Sequence, residues 1–197
     1  MVAKRLASGR REDLLDGVMR IIGERGFSDV RISEIAAELH CSVASLYKIA
    51  PSKDSLVLLA IGRWGEVNLA NLEVRAERGK TASARARSYF IAGAEALRPL
   101  SLAFFADVDR FESTRTVWRT TIVDRYIDRF IELVTIAQDA GEVRPISSRF
   151  LGEMLRQIGF VTRNERVLRE SGLTNEQAVL EVDRIVWDGI RVGHERK

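Results

Sequence analysis

The chain has 197 residues, enough for one large domain or two small ones with a substantial core. Apolar residues make up 46% and charged residues 30%, with only 3 Pro, which excludes intrinsic disorder and a collagen-like fibre. The 31 Lys and Arg against 28 Asp and Glu leave a net charge of +3, too small to imply a nucleic-acid partner by itself, and the single Cys41 excludes an internal disulfide and points to a reducing compartment.

Position says more than the sum. Lys4, Arg5, Arg10 and Arg11 precede the first acid, Glu12, so the chain opens on a basic arm that suits phosphate contact or else is a solvated tail. Helical spacing follows almost everywhere, without sustained period-two alternation, so an all-α fold is expected. Leu14, Leu15, Val18, Met19 and Ile22 mark the buried face of a helix from about Arg11 to Arg25, which Gly26 stops. Ser33 is then expected to cap a short helix with Ile35, Ala36 and Leu39 inward. His40 and Cys41 make a tight connection, and Ser42 caps a third short helix, marked by Val43, Leu46 and Tyr47, that ends before Pro51.

Two short helices across a tight turn, braced by a longer preceding helix, hold the second one proud of the core at a fixed angle, which fits a major groove. Its outward side offers Ser42, Ala44, Ser45 and Lys48, with Tyr47 at the edge. Small residues allow close approach to bases and phosphates, while the hydroxyls and the lysine supply hydrogen bonds.

Residues 11 to 56 resemble the N-terminal domain of the tetracycline-repressor (TetR) family of bacterial transcription regulators. The matching stretches are Glu24-Arg25-Gly26-Phe27, Val30-Arg31-Ile32-Ser33-Glu34-Ile35-Ala36, Ser42-Val43-Ala44-Ser45-Leu46-Tyr47 and Ser52-Lys53-Asp54-Ser55-Leu56, in that order. The resemblance implies that the third helix reads DNA, that Tyr47 and Lys53 touch phosphates, and that Ser33 presents its helix start to the backbone. The implied DNA-binding set is Arg31, Ser33, Ser42, Ala44, Ser45, Tyr47, Lys48 and Lys53. The sequence departs from the family pattern in three places. His40 stands where Gly is usual, and His tolerates a left-handed backbone better than most residues. Ile49 and Ala50 replace an aromatic or His followed by Phe, which bears on operator preference. Cys41 replaces a small aliphatic residue and is expected to pack as a small hydrophobe under the turn.

Beyond residue 53 no chemical motif appears. A helix from Lys53 to about Arg78, closed by Gly79, contains Gly62 and Gly65, each costing about 1 kcal/mol relative to Ala. A bend or close packing should offset that cost. Helices follow at about 82–97, after Pro99, and at about 114–140. In the last of these Trp118, Ile122, Tyr126, Phe130, Leu133 and Ala137 form one stripe. The resemblance implies a cavity here for an apolar or aromatic effector. Its candidate lining is Phe90, Phe104, Phe105, Phe111, Trp118, Ile122, Tyr126, Phe130 and Met154, although such a stripe also reads as ordinary core. Two further helices, about 148–170 and 175–192, are apolar on more than one side. The resemblance implies a homodimer built through Leu151, Leu155, Ile158, Val182, Ile185 and Val186, with two recognition helices about 34–36 Å apart; a buried pair inside a monomer is the alternative.

With only His40 and His194, neither a metal site nor a His-based triad has its parts, and no phosphate-binding glycine loop appears, so neither catalysis nor a cofactor is expected. The acids Asp107, Asp109 and Glu112 suggest a divalent-cation site only if further ligands join them, and otherwise read as a solvated loop. The longest apolar run, 56–62, is far short of the roughly 20 residues that span a bilayer, and the start lacks an apolar signal core, so a cytoplasmic protein without a membrane partner is expected. The reading is thus a helix-turn-helix domain at 1–52 and a helical effector-binding and dimerisation domain at 53–197. The resemblance implies a repressor released by a small molecule from an inverted-repeat operator in double-stranded DNA. An activator or DNA-organising protein without effector, and an interaction module or enzyme that kept the fold, are the competing classes.

Overall fold

The computed structural model describes the backbone of residues 2–190 and the side chains of residues 9–190, and every regular element among them is helical. In chain order these are α1 (Val2–Arg25), α2 (Ile32–Glu38), α3 (Val43–Tyr47), α4 (Lys53–Ala76), α5 (Ala82–Ala96), α6 (Leu102–Arg110) and α7 (Glu112–Val117), then a π-helical segment (Trp118–Val123). They continue with α8 (Asp124–Asp139), α9 (Ser148–Val161), α10 (Glu165–Ser171) and α11 (Asn175–Ile190). Two compact units result, each made of two stretches of chain: Met1–Val67 with Pro99–Ile122, and Asn68–Arg98 with Val123–Lys197.

In the first unit, α1 buries Leu15, Val18, Met19 and Ile22 as their spacing predicts, and Ile21 with them. The helix begins at Val2 rather than near Arg11, so the basic arm is continuous with it. Arg10 and Arg11 are exposed, while the side chains of Lys4 and Arg5 lie outside the described residues. Gly26 ends α1 at φ 79°, a left-handed geometry that costs glycine nothing. The N–H of Ser101, which caps α6, donates to the Gly23 carbonyl at 2.8 Å, and Phe27 lies edge-on to Phe104 at 6.1 Å, so α6 is fastened to the end of α1.

α4 runs unbroken through both its glycines, which have different surroundings. A Cβ at Gly65 would stand 2.5 Å from Ile122 Cγ1, so that glycine permits close packing, whereas nothing lies within 4 Å of a Cβ at Gly62. Trp64 stacks on Trp118 at 5.4 Å, at the start of the π-helical segment. There Thr120 and Thr121 donate their hydroxyls to the carbonyls of Thr116 and Val117, a side-chain competition for helix acceptors that loosens the regular ladder.

In the second unit, α5 packs on α8 and α11, and α8 on α9. The core between them includes Leu72, Tyr89, Phe90, Ile127, Phe130, Leu151, Leu155 and Trp187. α11 is also tied to α5 by Arg87, whose guanidinium donates to the buried Asp183 carboxylate at 3.1 Å. Burial pushes the Asp183 carboxyl up, against the pull of Arg87. The single helix expected at 148–170 is two. Asn164 accepts the Val167 N–H at 3.2 Å and starts α10 anew, and Gly172, at φ 69°, ends it.

Candidate nucleic-acid interface

The segment from Arg31 to Lys53 is built by local hydrogen bonds. α2 starts at the extended Arg31, whose N–H donates to Glu34 Oε2 at 3.0 Å. Ser33 therefore sits inside the first turn instead of capping it. α2 closes in a Schellman motif: Cys41 N–H donates to the Ala36 carbonyl at 2.9 Å and His40 N–H to that of Ala37 at 3.1 Å. The motif requires a left-handed residue, and His40 takes that conformation at φ 50°, the only non-glycine among the described residues to do so. Cys41 is half-buried, less enclosed than a hydrophobe under the turn. Ser42 caps α3 as expected, its Oγ accepting the Ser45 N–H at 3.1 Å and lying 2.9 Å from the Ser45 hydroxyl.

α3 divides cleanly. Leu46 is fully buried and anchors the helix, and Ala50 behind it is buried as well. Ser42, Ala44, Tyr47 and Lys48 are exposed, Ser45 is half-buried, and Tyr47 keeps 47% of its surface in solvent despite its large ring. Arg31 and Ser33 are exposed at the start of α2. Lys53, half-buried, opens α4, where Ser52 caps by accepting the Ser55 N–H at 3.1 Å. The Lys53 ammonium donates to the Ser28 carbonyl at 3.2 Å, and an ammonium has three donors, so two are left for an anion. The positive end of the α4 dipole adds to that preference.

Ion pairs brace this platform. Glu38 of α2 accepts from Arg25, and from Arg20 at 3.0 Å, both on α1. Arg63 of α4 bonds Asp16 at 2.7 Å and pairs with Glu12 at 3.2 Å, and these contacts, the Asp16 hydrogen bond first, hold its guanidinium above its ordinary value. Each such surface pair contributes little stability, about 0–1 kcal/mol, but together they constrain the angles of α2 and α4 to α1.

The acid Asp107 was missed as part of this region. It lies on α6, not in a solvated loop, and its Oδ2 accepts the N–H groups of Phe27 at 2.6 Å and Ser28 at 2.8 Å, while Oδ1 accepts the Ser28 hydroxyl. Nothing local in the sequence signals this, because the partners are about eighty residues apart. Asp109 shares α6, Glu112 begins α7, and no group of three or more His, Cys, Asp or Glu able to hold a metal occurs among the described residues. His194 lies outside them.

The residues expected around an effector fall into two groups. In the first unit Phe104 and Phe105 meet the Trp118 ring edge-on at 5.6 and 5.5 Å, Ile122 packs at Gly65, and Phe111, 42% exposed, flanks Phe27 at 6.0 Å. In the second, Phe90 lies 5.0 Å from Phe130 and 6.1 Å from Tyr126, with Met154 packed against the same core. Tyr126 stacks on Tyr89 at 5.4 Å and donates its hydroxyl to the Phe90 carbonyl at 3.0 Å; burial pushes its phenol well up. None of these residues borders the 290 Å³ groove found in the second unit, which is lined by Glu73, Glu77, Arg85 and Arg129 above Leu133 and Ile136. Of the residues expected at a dimer interface, Leu151, Leu155 and Val186 are buried in the subunit, Ile158 and Val182 are half-buried, and Ile185 is 74% exposed. Phe150, Phe160 and Val161 of α9 are also exposed.

Residues 14–60 match the family described as bacterial regulatory proteins, tetR family. No curated protein matches the chain. Among solved structures, a protein described as a transcriptional regulator from Saccharomonospora viridis, in complex with choline, is similar at TM-score 0.71 and 20% identity, over 94% of this chain and 100% of that one. A protein described as a TetR-family transcriptional regulator from Rhodococcus sp. is similar at TM-score 0.72 and 18% identity, with the same coverage of 94% and 100%. The ketosteroid transcriptional regulator KstR2 of Mycobacterium tuberculosis is similar at 0.56 and 18%, over 93% of this chain and 96% of that one. At these identities the likeness shows the fold: a helix-turn-helix head and a helical body. No helix among the described residues is long and apolar enough to cross a membrane.

Proposed function

With residues 14–60 belonging to the tetR family of bacterial regulatory proteins and the chain carrying the fold of its transcriptional regulators, we propose that this protein is a repressor that leaves an inverted-repeat operator when a small apolar or aromatic molecule binds its body. The observation that carries the reading is the two-sided α3, which buries Leu46 while holding Ala44, Tyr47 and Lys48 outward beside the paired hydroxyls of Ser42 and Ser45. Small exposed residues on a short, capped helix allow approach to base edges, and Tyr47 and Lys53 are suited to the flanking phosphates. Ser45 and Lys48 are assigned to sequence reading, with Arg31 and Ser33 at the backbone.

Dimerisation belongs to the same proposal. Supporting it are the exposed apolar side chains of α9 and α11, Phe150, Phe160, Val161 and Ile185, which a second copy of the chain would cover. The effector is proposed by analogy with similar proteins named for choline and ketosteroid, and linkage sets its action: a ligand preferring the DNA-incompatible arrangement weakens operator affinity by the same coupling free energy. The ring-on-ring packing of Phe90, Tyr126 and Phe130 favours a second reading, in which the body has no preformed cavity and the protein works without an effector.

Selection of bound duplexes from random DNA with the purified protein tests the proposal. An inverted repeat is expected, with the same half-site lost when Lys48 is replaced by Ala. Enrichment of unpaired single sites would overturn the dimeric reading, and absence of any enrichment would overturn sequence-specific regulation. Melting scans with candidate ligands separate the two readings, since only an effector-responsive body is stabilised by one of them.

A further inference from the structure

We propose that Asp107 of α6 is a positioning residue for DNA binding, holding the Lys53 ammonium in place through Ser28; this rests on the reading that Lys53 contacts phosphate. The relay lies wholly within the first unit. After Gly26 the N–H groups of Phe27 and Ser28 turn to the same carboxylate oxygen, at 2.6 and 2.8 Å, and the Ser28 hydroxyl donates to the other oxygen. Ser28 is thus gripped on three sides of its own backbone and side chain: two donors go to Asp107, and its carbonyl receives Lys53 Nζ at 3.2 Å. Gly26 makes room for the grip, because a Cβ there would stand 2.7 Å from Asp107 Oδ2 and 3.2 Å from the Ala103 backbone. α6 in turn cannot drift from the loop, since Ser101 is bonded to Gly23 and Phe104 lies against Phe27.

A lysine side chain has many rotamers, and fixing them only on binding weakens the complex. A Lys53 already fixed on a fixed carbonyl presents its two remaining N–H donors to a phosphate without that loss. The proposal can be separated from simple charge, because the two make opposite predictions. Asp107 is an anion in the DNA-binding unit, so if only its field mattered, removing it would strengthen DNA binding. If it positions Lys53, removing it weakens DNA binding.

The experiment measures binding of the full-length protein to a fluorescent random-sequence duplex over a salt series, because phosphate contacts act on any sequence. Asp107→Ala is expected to weaken binding about three- to tenfold with the salt slope nearly unchanged, because Lys53 still reaches the phosphate but is ordered only on binding. Lys53→Ala should weaken binding at least as much and also reduce the salt slope by about 0.9, the value of one phosphate contact, and the double variant should be no weaker than Lys53→Ala alone, as coupled positions require. Asp107→Asn, which keeps carbonyl acceptance of the two N–H groups while the serine hydroxyl turns to accept, should bind at least as tightly as the parent. Ser28→Ala, which loses only the hydroxyl bond, should weaken binding about two- to threefold, with no further loss on a Lys53→Ala background; it decides the matter if Asp107→Ala does not stay folded by circular dichroism. Tighter binding by Asp107→Ala, or losses that multiply in the double variants, would overturn the inference. If Lys53→Ala flattens the slope and neither Asp107→Ala nor Ser28→Ala weakens binding, the inference alone fails. If Lys53→Ala leaves the slope unchanged, the phosphate reading fails and takes the inference with it.

Discussion

Residues 31–53 and the bundle of α5, α8, α9 and α11 achieve order by opposite means. The first holds two very short helices in place with a few small buried anchors, Ile35 and Ala36 of α2 and Leu46 of α3, a serine cap, a Schellman turn and surface ion pairs, and leaves its small polar residues in solvent. The second closes aromatic rings on one another until Tyr89, Phe90 and Phe130 are almost without exposure. A region proposed to meet a rigid duplex presents its chemistry ready-made, with its backbone fixed by directional bonds and its polar side chains left outside. In the second region the rings of Phe90, Tyr126 and Phe130 lie against one another, so a ligand seated among them must displace rings.

The contrast can be broken most forcefully at Phe130. Phe130→Ala is expected to cost about 3–5 kcal/mol in urea unfolding if the ring is load-carrying core. A loss under about 1 kcal/mol would show that the site collapses or is built to accept a guest. Next in size is Gly93→Ala. A Cβ there would lie 2.4 Å from the Tyr126 ring, so the variant should lose about 1–3 kcal/mol and weaken the Tyr126 bond to the Phe90 carbonyl, visible as a changed tyrosine spectrum; no loss would mean that Tyr126 swings freely. In the head, Ser42→Ala removes the α3 cap and should cost about 1 kcal/mol by the same assay, with DNA affinity falling alongside. A stability loss without any DNA effect would separate the cap from recognition. The smallest effect is expected at His40. His40→Gly relieves a left-handed side chain but frees the unfolded chain, so melting should change by only a few tenths of a kcal/mol to about 1, in the stabilising direction.

Legibility in the sequence follows the same division. The Ser42 cap, the left-handed His40 and the inward Leu46 could be read because each depends on neighbours within a turn or two. The apolar spacing of α1 likewise gave its buried face, since periodicity is a property of the chain alone. Ser33 was misplaced by a residue or two because Arg31 supplies the extended backbone and Glu34 the bond, a pattern a cap preference does not distinguish. The break at Asn164 was lost in a continuous apolar pattern. Candidate effector residues were identified as aromatic, which the sequence states, but whether rings enclose a space or each other is not written in any one segment.

What the amino-acid order determined by itself is therefore the helical class, the short helix pair at 32–47 with the Ser42 cap of its second member, and the polar face of α3, all consequences of bonds and spacings spanning a few residues. Only the tertiary structure decided that Asp107 grips the 27–28 loop, that Gly65 but not Gly62 is a packing glycine, and that Phe90, Tyr126 and Phe130 fill the interior they border. These depend on which residues, scores of positions apart, come within a hydrogen bond or a van der Waals radius of one another, a distance that no local pattern encodes.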